Sequence, residues 1–130
     1  MKILIAQSIP DVLEVIRMQI SVAFPDIAEN VIYESNFEDA IDVAPSGNLI
    51  VIASEYFHDD NHVYYKREDK YGSNLAREIK KKNPRARVYI YSSLTPLSLD
   101  YVDGYFHKGE NAKEVYEEMS AILKKLLGKI

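Results

Sequence analysis

The sequence contains no cysteine. Disulfides and thiolate metal ligands are therefore excluded, while the compartment stays open. Long apolar runs are also missing. The first one, Ile3 to Ala6, is stopped by Gln7, Ser8 and Pro10, so it is too short for the core of a signal peptide, and no stretch approaches a membrane span. There is no large excess of charge of one sign either: the formal net charge is −4 over 130 residues, which argues against bulk attraction to nucleic acid or to a membrane surface. What is present, 28% charged and 47% hydrophobic residues, is ordinary for a globular protein, and the length matches one domain with a real core. The expectation is a single domain over residues 1–130, with the cytoplasm as the default location.

The stretch that organises the rest is Asn48 to Ser54, whose middle residues Leu49 to Ala53 are all apolar and mostly β-branched. Such a run is too short for a helix and reads as a strand covered on both faces. Before it, Lys2 to Ala6 reads as a first buried strand. Pro10 and Asp11 open a helix running to about Phe24, with Leu13, Ile16, Ile20 and Ala23 as its inward stripe. Val31 to Glu34 follows as a strand, and Phe37 to Val43 as a short helix introduced by Asn36. After the central strand, Glu55 to Gly72 is polar and tyrosine-rich, and unusually long for a connection within a domain.

Ser73 to Lys82 is helical, with Leu75, Ala76 and Ile79 facing in, and Arg87 to Ser92 is a fourth strand. Leu94 to Val102 has apolar clusters around Pro96 but no helical period. Tyr105 to His107 is a short fifth strand. Ala112 to Leu127 is the clearest helix, with Asn111 and Glu114 spaced as a capping box and Val115, Met119, Ile122, Leu123 and Leu126 as its stripe. Alternating strands and helices imply right-handed crossovers and a three-layer α/β/α, doubly wound, five-stranded parallel sheet. In such a sheet, ligands bind at the C-terminal ends of the strands.

Taken together, Lys2 to Asp11, Asn48 to Ala53, Gly72 with Leu75 to Lys82, Val88 to Ser92 and Asp103 to Lys108 resemble the successive motifs of a receiver domain of two-component signalling. The resemblance implies the flavodoxin/CheY-like strand order 2-1-3-4-5. It also implies that Gln7 and Ser8 stand where the family has magnesium-binding acids. Ala53, or Ser54 if the register slips by one, stands where the family has its phosphorylated aspartate. Ser92 matches the family's Ser or Thr, Tyr105 its switch aromatic and Lys108 its active-site lysine. The segment from Ser93 to Asp103 is shorter than the family's helix between the fourth and fifth strands, and Pro96 lies within it; that helix is expected to be shortened or lost.

The departures direct the functional reading. Mg²⁺ demands hard oxygen ligands, usually including carboxylates, and an acyl phosphate needs a carboxylate nucleophile. An amide, a hydroxyl and a methyl group supply neither. The expectation is an atypical receiver, independent of phosphorylation, that serves signalling or regulation as a protein-interaction module and needs no cofactor. The rival is a small-anion or metal-binding domain using Lys108, Ser92 and the long loop. In that loop Glu55, His58, Asp59, Asp60, His62 and Asp69 could ligate a divalent metal if they lay on one face, although the surrounding residues do not read as a helix.

An enzyme built on the loop acids would lack an oriented nucleophile and base. Tyr56, Tyr64, Tyr65 and Tyr71 suit protein contacts. Lys80, Lys81, Lys82, Arg85 and Arg87 form a basic patch, but no stacking aromatics accompany it, so it reads as the solvated end of a helix. Tyr116, Leu127 and Ile130 lie off the stripe of the last helix and could support a homodimer.

Overall fold

Residues 1–57 and 71–128 are described by the structure, a computed structural model. Within them the chain runs β1 (Lys2–Ala6), α1 (Pro10–Ala23), β2 (Val31–Glu34), α2 (Phe37–Val43), β3 (Leu49–Ala53), α3 (Gly72–Lys82), β4 (Arg87–Ser92), β5 (Gly104–His107) and α4 (Ala112–Leu127). The strands form one sheet in the order β2-β1-β3-β4-β5, and every pairing is parallel. β3 lies at its centre and is buried at every residue, which is why its sequence is a continuous apolar run rather than an alternating one. No helix separates β4 from β5.

Successive side chains on a strand point to opposite faces, and this divides the core in two. On one face Leu4, Leu49, Val51, Ala53, Val88 and Ile90 pack with Ala40 of α2 and with Leu75, Ala76 and Ile79 of α3. On the other, Ile3, Ile5, Ile50, Ile52 and Tyr91 pack with Ile16 and Ile20 of α1 and with Val115, Met119, Ile122, Leu123 and Leu126 of α4. Burying each large side chain of this kind contributes about 1.5–3 kcal/mol, so the two layers together outweigh any single polar contact.

Two expectations about helix faces need correction. Leu13 packs against the core as expected, but Ala23 is exposed, whereas Gln19 is buried beside Ile16 and Ile20; α1 ends at Ala23, and Phe24 beyond it packs against the core in its place. Leu127 is not spare apolar surface, since it too packs against the core between α1 and α4. Tyr116 is exposed, and Ile130 lies outside the described residues.

Candidate functional site

At the C-terminal ends of the strands the ladders run on past their last paired residues. Ser54 N donates to the Ala6 carbonyl at 2.8 Å, Gln7 N to Glu34 at 3.0 Å and Lys108 N to Ser92 at 2.9 Å. These bonds frame a cavity of about 120 Å³ lined by Gln7, Ser8, Ser54, Ser92 and Lys108, with Ile9, Tyr56, Ser93 and Leu94 at its sides. No carboxylate is among these lining residues. Gln7 is buried, and its Nε2 donates to the Tyr91 carbonyl at 3.4 Å. Ser54 Oγ accepts from Ser8 N at 3.2 Å and donates to the Tyr56 carbonyl at 3.3 Å. Ser92 Oγ accepts from Leu94 N at 3.2 Å, and Lys108 Nζ donates to the Gly109 carbonyl at 3.1 Å.

Of the two positions that the sequence left open, it is Ser54 that lines the cavity. Ala53 is fully buried in the opposite core layer with Leu49 and Val51. The reason is strand parity: Ser54 shares a face with Ile50 and Ile52, as Gln7 does with Ile3 and Ile5. Tyr105 is half-buried, is not among the residues lining the cavity, and packs against the α2–α3 side of the core. Its Oη donates to the Ser92 carbonyl at 3.1 Å and lies 3.2 Å from His107 Nδ1.

Glu55 departs most from its expected place. Sequence grouped it with the polar loop, yet it is 1% exposed. Its Oε1 accepts from Ser73 N at 3.0 Å, Ser73 Oγ lies 3.0 Å from both carboxylate oxygens, and Oε2 accepts from Leu97 N at 2.6 Å. Its backbone carbonyl accepts from Gly72 N at 2.8 Å. A Cβ on Gly72 would run into the Ser54 carbonyl and come within 2.7 Å of Ile90 Cδ1, so only glycine lets the start of α3 approach this closely. Burial pushes the Glu55 carboxyl above the usual carboxylate range, outweighing the downward pull of the hydrogen bonds from Leu97 and Ser73. The one sequence sign of this cluster was Gly72, the glycine that opens α3.

The basic patch is largely engaged within the fold. Lys80 pairs with Asp103 at 2.8 Å and Lys81 with Glu78 at 3.3 Å. Lys82 Nζ donates to the carbonyls of Ile41 and Asp42 at 2.7 and 3.0 Å, at the C-terminal end of α2, where a cation also suits the helix dipole. His58, Asp59, Asp60, His62, Tyr64, Tyr65 and Asp69 lie outside the described residues. Among the described residues, no group of three or more His, Cys, Asp or Glu side chains could hold a metal ion, and no helix is long and apolar enough to cross a membrane.

No sequence-family model matches the chain, and neither does any curated protein. Solved structures do match. The phosphorylated cyanobacterial phytochrome response regulator RcpA superimposes with a TM-score of 0.72 at 14% identity, over 99% of this chain and 95% of that one. A CheY-like receiver domain protein from Methanospirillum hungatei gives 0.67 at 14% identity, over 99% and 98%. The response regulator TrrA of Thermotoga maritima, in complex with Mg²⁺–BeF, gives 0.65 at 24% identity, over 97% and 99%. At such identities the likeness concerns the fold: the chain adopts the flavodoxin/CheY-like α/β arrangement, and its structural neighbours are response-regulator receiver domains.

Proposed function

We propose that this chain is a one-domain atypical receiver that has lost phosphoryl acceptance and works as a protein-interaction module in signalling or regulation. The observation that carries the reading is the chemistry of the cavity, whose polar lining includes Gln7, Ser8, Ser54, Ser92 and Lys108 but no carboxylate. The residues do not fit Mg²⁺, because neutral amide and hydroxyl oxygens cannot compete with the ion's hydration shell as carboxylates do. They offer no acyl-phosphate nucleophile either, since the position facing the cavity is a serine. A small-anion site is the weaker reading, because Lys108 is, among the described residues, the one charged residue lining the cavity, and one of its three N–H donors is already given to the Gly109 carbonyl. Contact with another protein is supported by Leu94, Leu97, Leu99 and Tyr101, all exposed on the short segment that replaces a helix between β4 and β5.

The test is an amide spectrum recorded with magnesium plus a small phosphodonor, and again with magnesium plus beryllofluoride. Neither addition is expected to move the amide signals. Saturable shifts confined to the neighbourhood of Ser54 and Lys108, or a covalent phosphoryl group found on a side chain lining the cavity, would overturn the reading.

A further inference from the structure

The connection between β4 and β5 has no helix to hold its shape, and its backbone has few ties to the rest of the fold. Leu94 N reaches back to Ser92 Oγ, Asp100 N bonds to Ser98 Oγ and Val102 N bonds to the Leu99 carbonyl; these bonds shape the segment locally. Asp103, at the end of the connection, is tied to Val88 and Lys80. Between Leu94 and Val102, among the described residues, only two hydrogen bonds cross to another part of the molecule, one ending at the Glu55 carboxylate and the other at the Ser73 hydroxyl bonded to it. Leu97 N donates directly to Glu55 Oε2 at 2.6 Å. Ser98 N donates at 3.3 Å to Ser73 Oγ, whose own proton is directed at the Glu55 carboxylate 3.0 Å away.

We propose that Glu55 is a resident internal anion that locks the β4–β5 connection onto the start of α3, so that the segment carrying Leu97, Leu99 and Tyr101 is held in one arrangement without any ligand or modification. The geometry suits this role. The carboxylate is buried, both oxygens are engaged, and its donors come from residues 18 and 42 positions away in sequence. Hydrogen bonds to a charged acceptor are about twice as strong as neutral ones, and Ser73 passes that advantage on to Ser98. A segment that must switch needs two arrangements of similar free energy. A fixed carboxylate that bonds only one of them biases the equilibrium permanently. The lock itself stands on this geometry; its consequence, a constitutively presented surface, rests on the loss of phosphoryl acceptance proposed above.

Amide hydrogen exchange, followed by NMR on the whole chain, tests the lock in the wild type, Glu55→Gln and Ser73→Ala. Glutamine offers one acceptor oxygen where two are used and turns an N–H toward a donor. In Glu55→Gln, Leu97 and Ser98 are therefore expected to exchange about tenfold faster or more, while the amides of β1 and β3 keep their protection. In Ser73→Ala, Ser98 is expected to accelerate and Leu97 to stay slow. Unchanged exchange at Leu97 and Ser98 in Glu55→Gln would overturn the lock. If that variant does not fold, Ser73→Ala decides: selective acceleration at Ser98 supports the lock and unchanged exchange overturns it. No phosphodonor is present in these samples, so a phosphoryl adduct found separately would defeat the proposed function and leave the lock standing, whereas unchanged exchange would do the reverse.

Discussion

A carboxylate removed from water is costly unless hydrogen bonds replace its hydration. At Glu55, Ser73 and Leu97 replace much of it, yet burial still dominates and raises the pKa above the ordinary value. The sign of the resulting pH dependence follows from linkage. Below the unfolded-state pKa both states are protonated and Glu55 contributes nothing. As pH rises through the raised folded-state pKa, the folded form must ionise a group that the unfolded form ionises more readily, and stability falls. The stability of the wild type relative to Glu55→Gln is therefore expected to increase as pH is lowered from about 7 to about 5, measured by urea unfolding of both proteins at each pH. Titrations common to the two cancel in the difference, so a difference that does not vary with pH would show that Glu55 is not held as described. Tyr91 offers a contrast. Burial first, and then its 2.6 Å hydrogen bond to Glu118 Oε1, raise its pKa, so the phenol stays protonated and keeps donating while Glu118 also accepts from Gly109 N at 2.8 Å.

The same carboxylate explains how α3 begins. α2 and α4 carry their own caps: Asn36 Oδ1 accepts from Asp39 N, and Asn111 Oδ1 from Glu114 N, both at 2.9 Å. α3 is preceded by Tyr71, whose N donates to Asn74 Oδ1 at 3.2 Å, and its second amide, Ser73 N, is satisfied not from within the helix but by Glu55. A negative group there also suits the positive end of the helix dipole. This remote cap works only because Gly72 lets the helix start lie against the end of β3. Alanine is the better helix former by about 1 kcal/mol, so propensity alone would have Gly72→Ala stabilise the protein. The Ser54 carbonyl that its methyl group would meet belongs to the backbone and cannot swing away. Overpacking of this kind costs about 1–3 kcal/mol, and Gly72→Ala is expected to lower stability by the balance of the two effects, read from its urea midpoint. A neutral or stabilising result would mean that α3 and β3 are free to separate at this end.

At the scale of the whole molecule, the alternation of strands and helices was legible because a doubly covered parallel strand must be apolar throughout, and because helix stripes and caps leave short-range marks such as Asn36 before α2 and Asn111 before α4. What sequence left open depended on contacts between distant residues. One step of strand parity decided between Ala53 and Ser54 for the cavity, and nothing local distinguishes Glu55 from the polar residues after it when its donors, Ser73 and Leu97, lie 18 and 42 positions away. Lys82 is exposed, as read, but its acceptors, the carbonyls at the end of α2, lie 41 and 40 residues away and left no local sign. The missing helix between β4 and β5 was legible from Pro96 and the lack of period, and its consequence is a surface. Of the ten exposed large apolar residues among those described, Leu94, Leu97, Leu99 and Tyr101 fall on this one segment. Leu97 and Leu99 are 67% and 63% exposed, so their side chains add little to folding. The double substitution Leu97→Ser, Leu99→Ser is expected to change stability by no more than about 0.5 kcal/mol while lowering the binding of an apolar fluorescent dye to the folded protein. The Leu97 amide keeps its bond to Glu55 in that variant, since only side chains are replaced. A large loss of stability would show that the leucines belong to the core, and unchanged dye binding would place the accessible apolar surface elsewhere on the molecule.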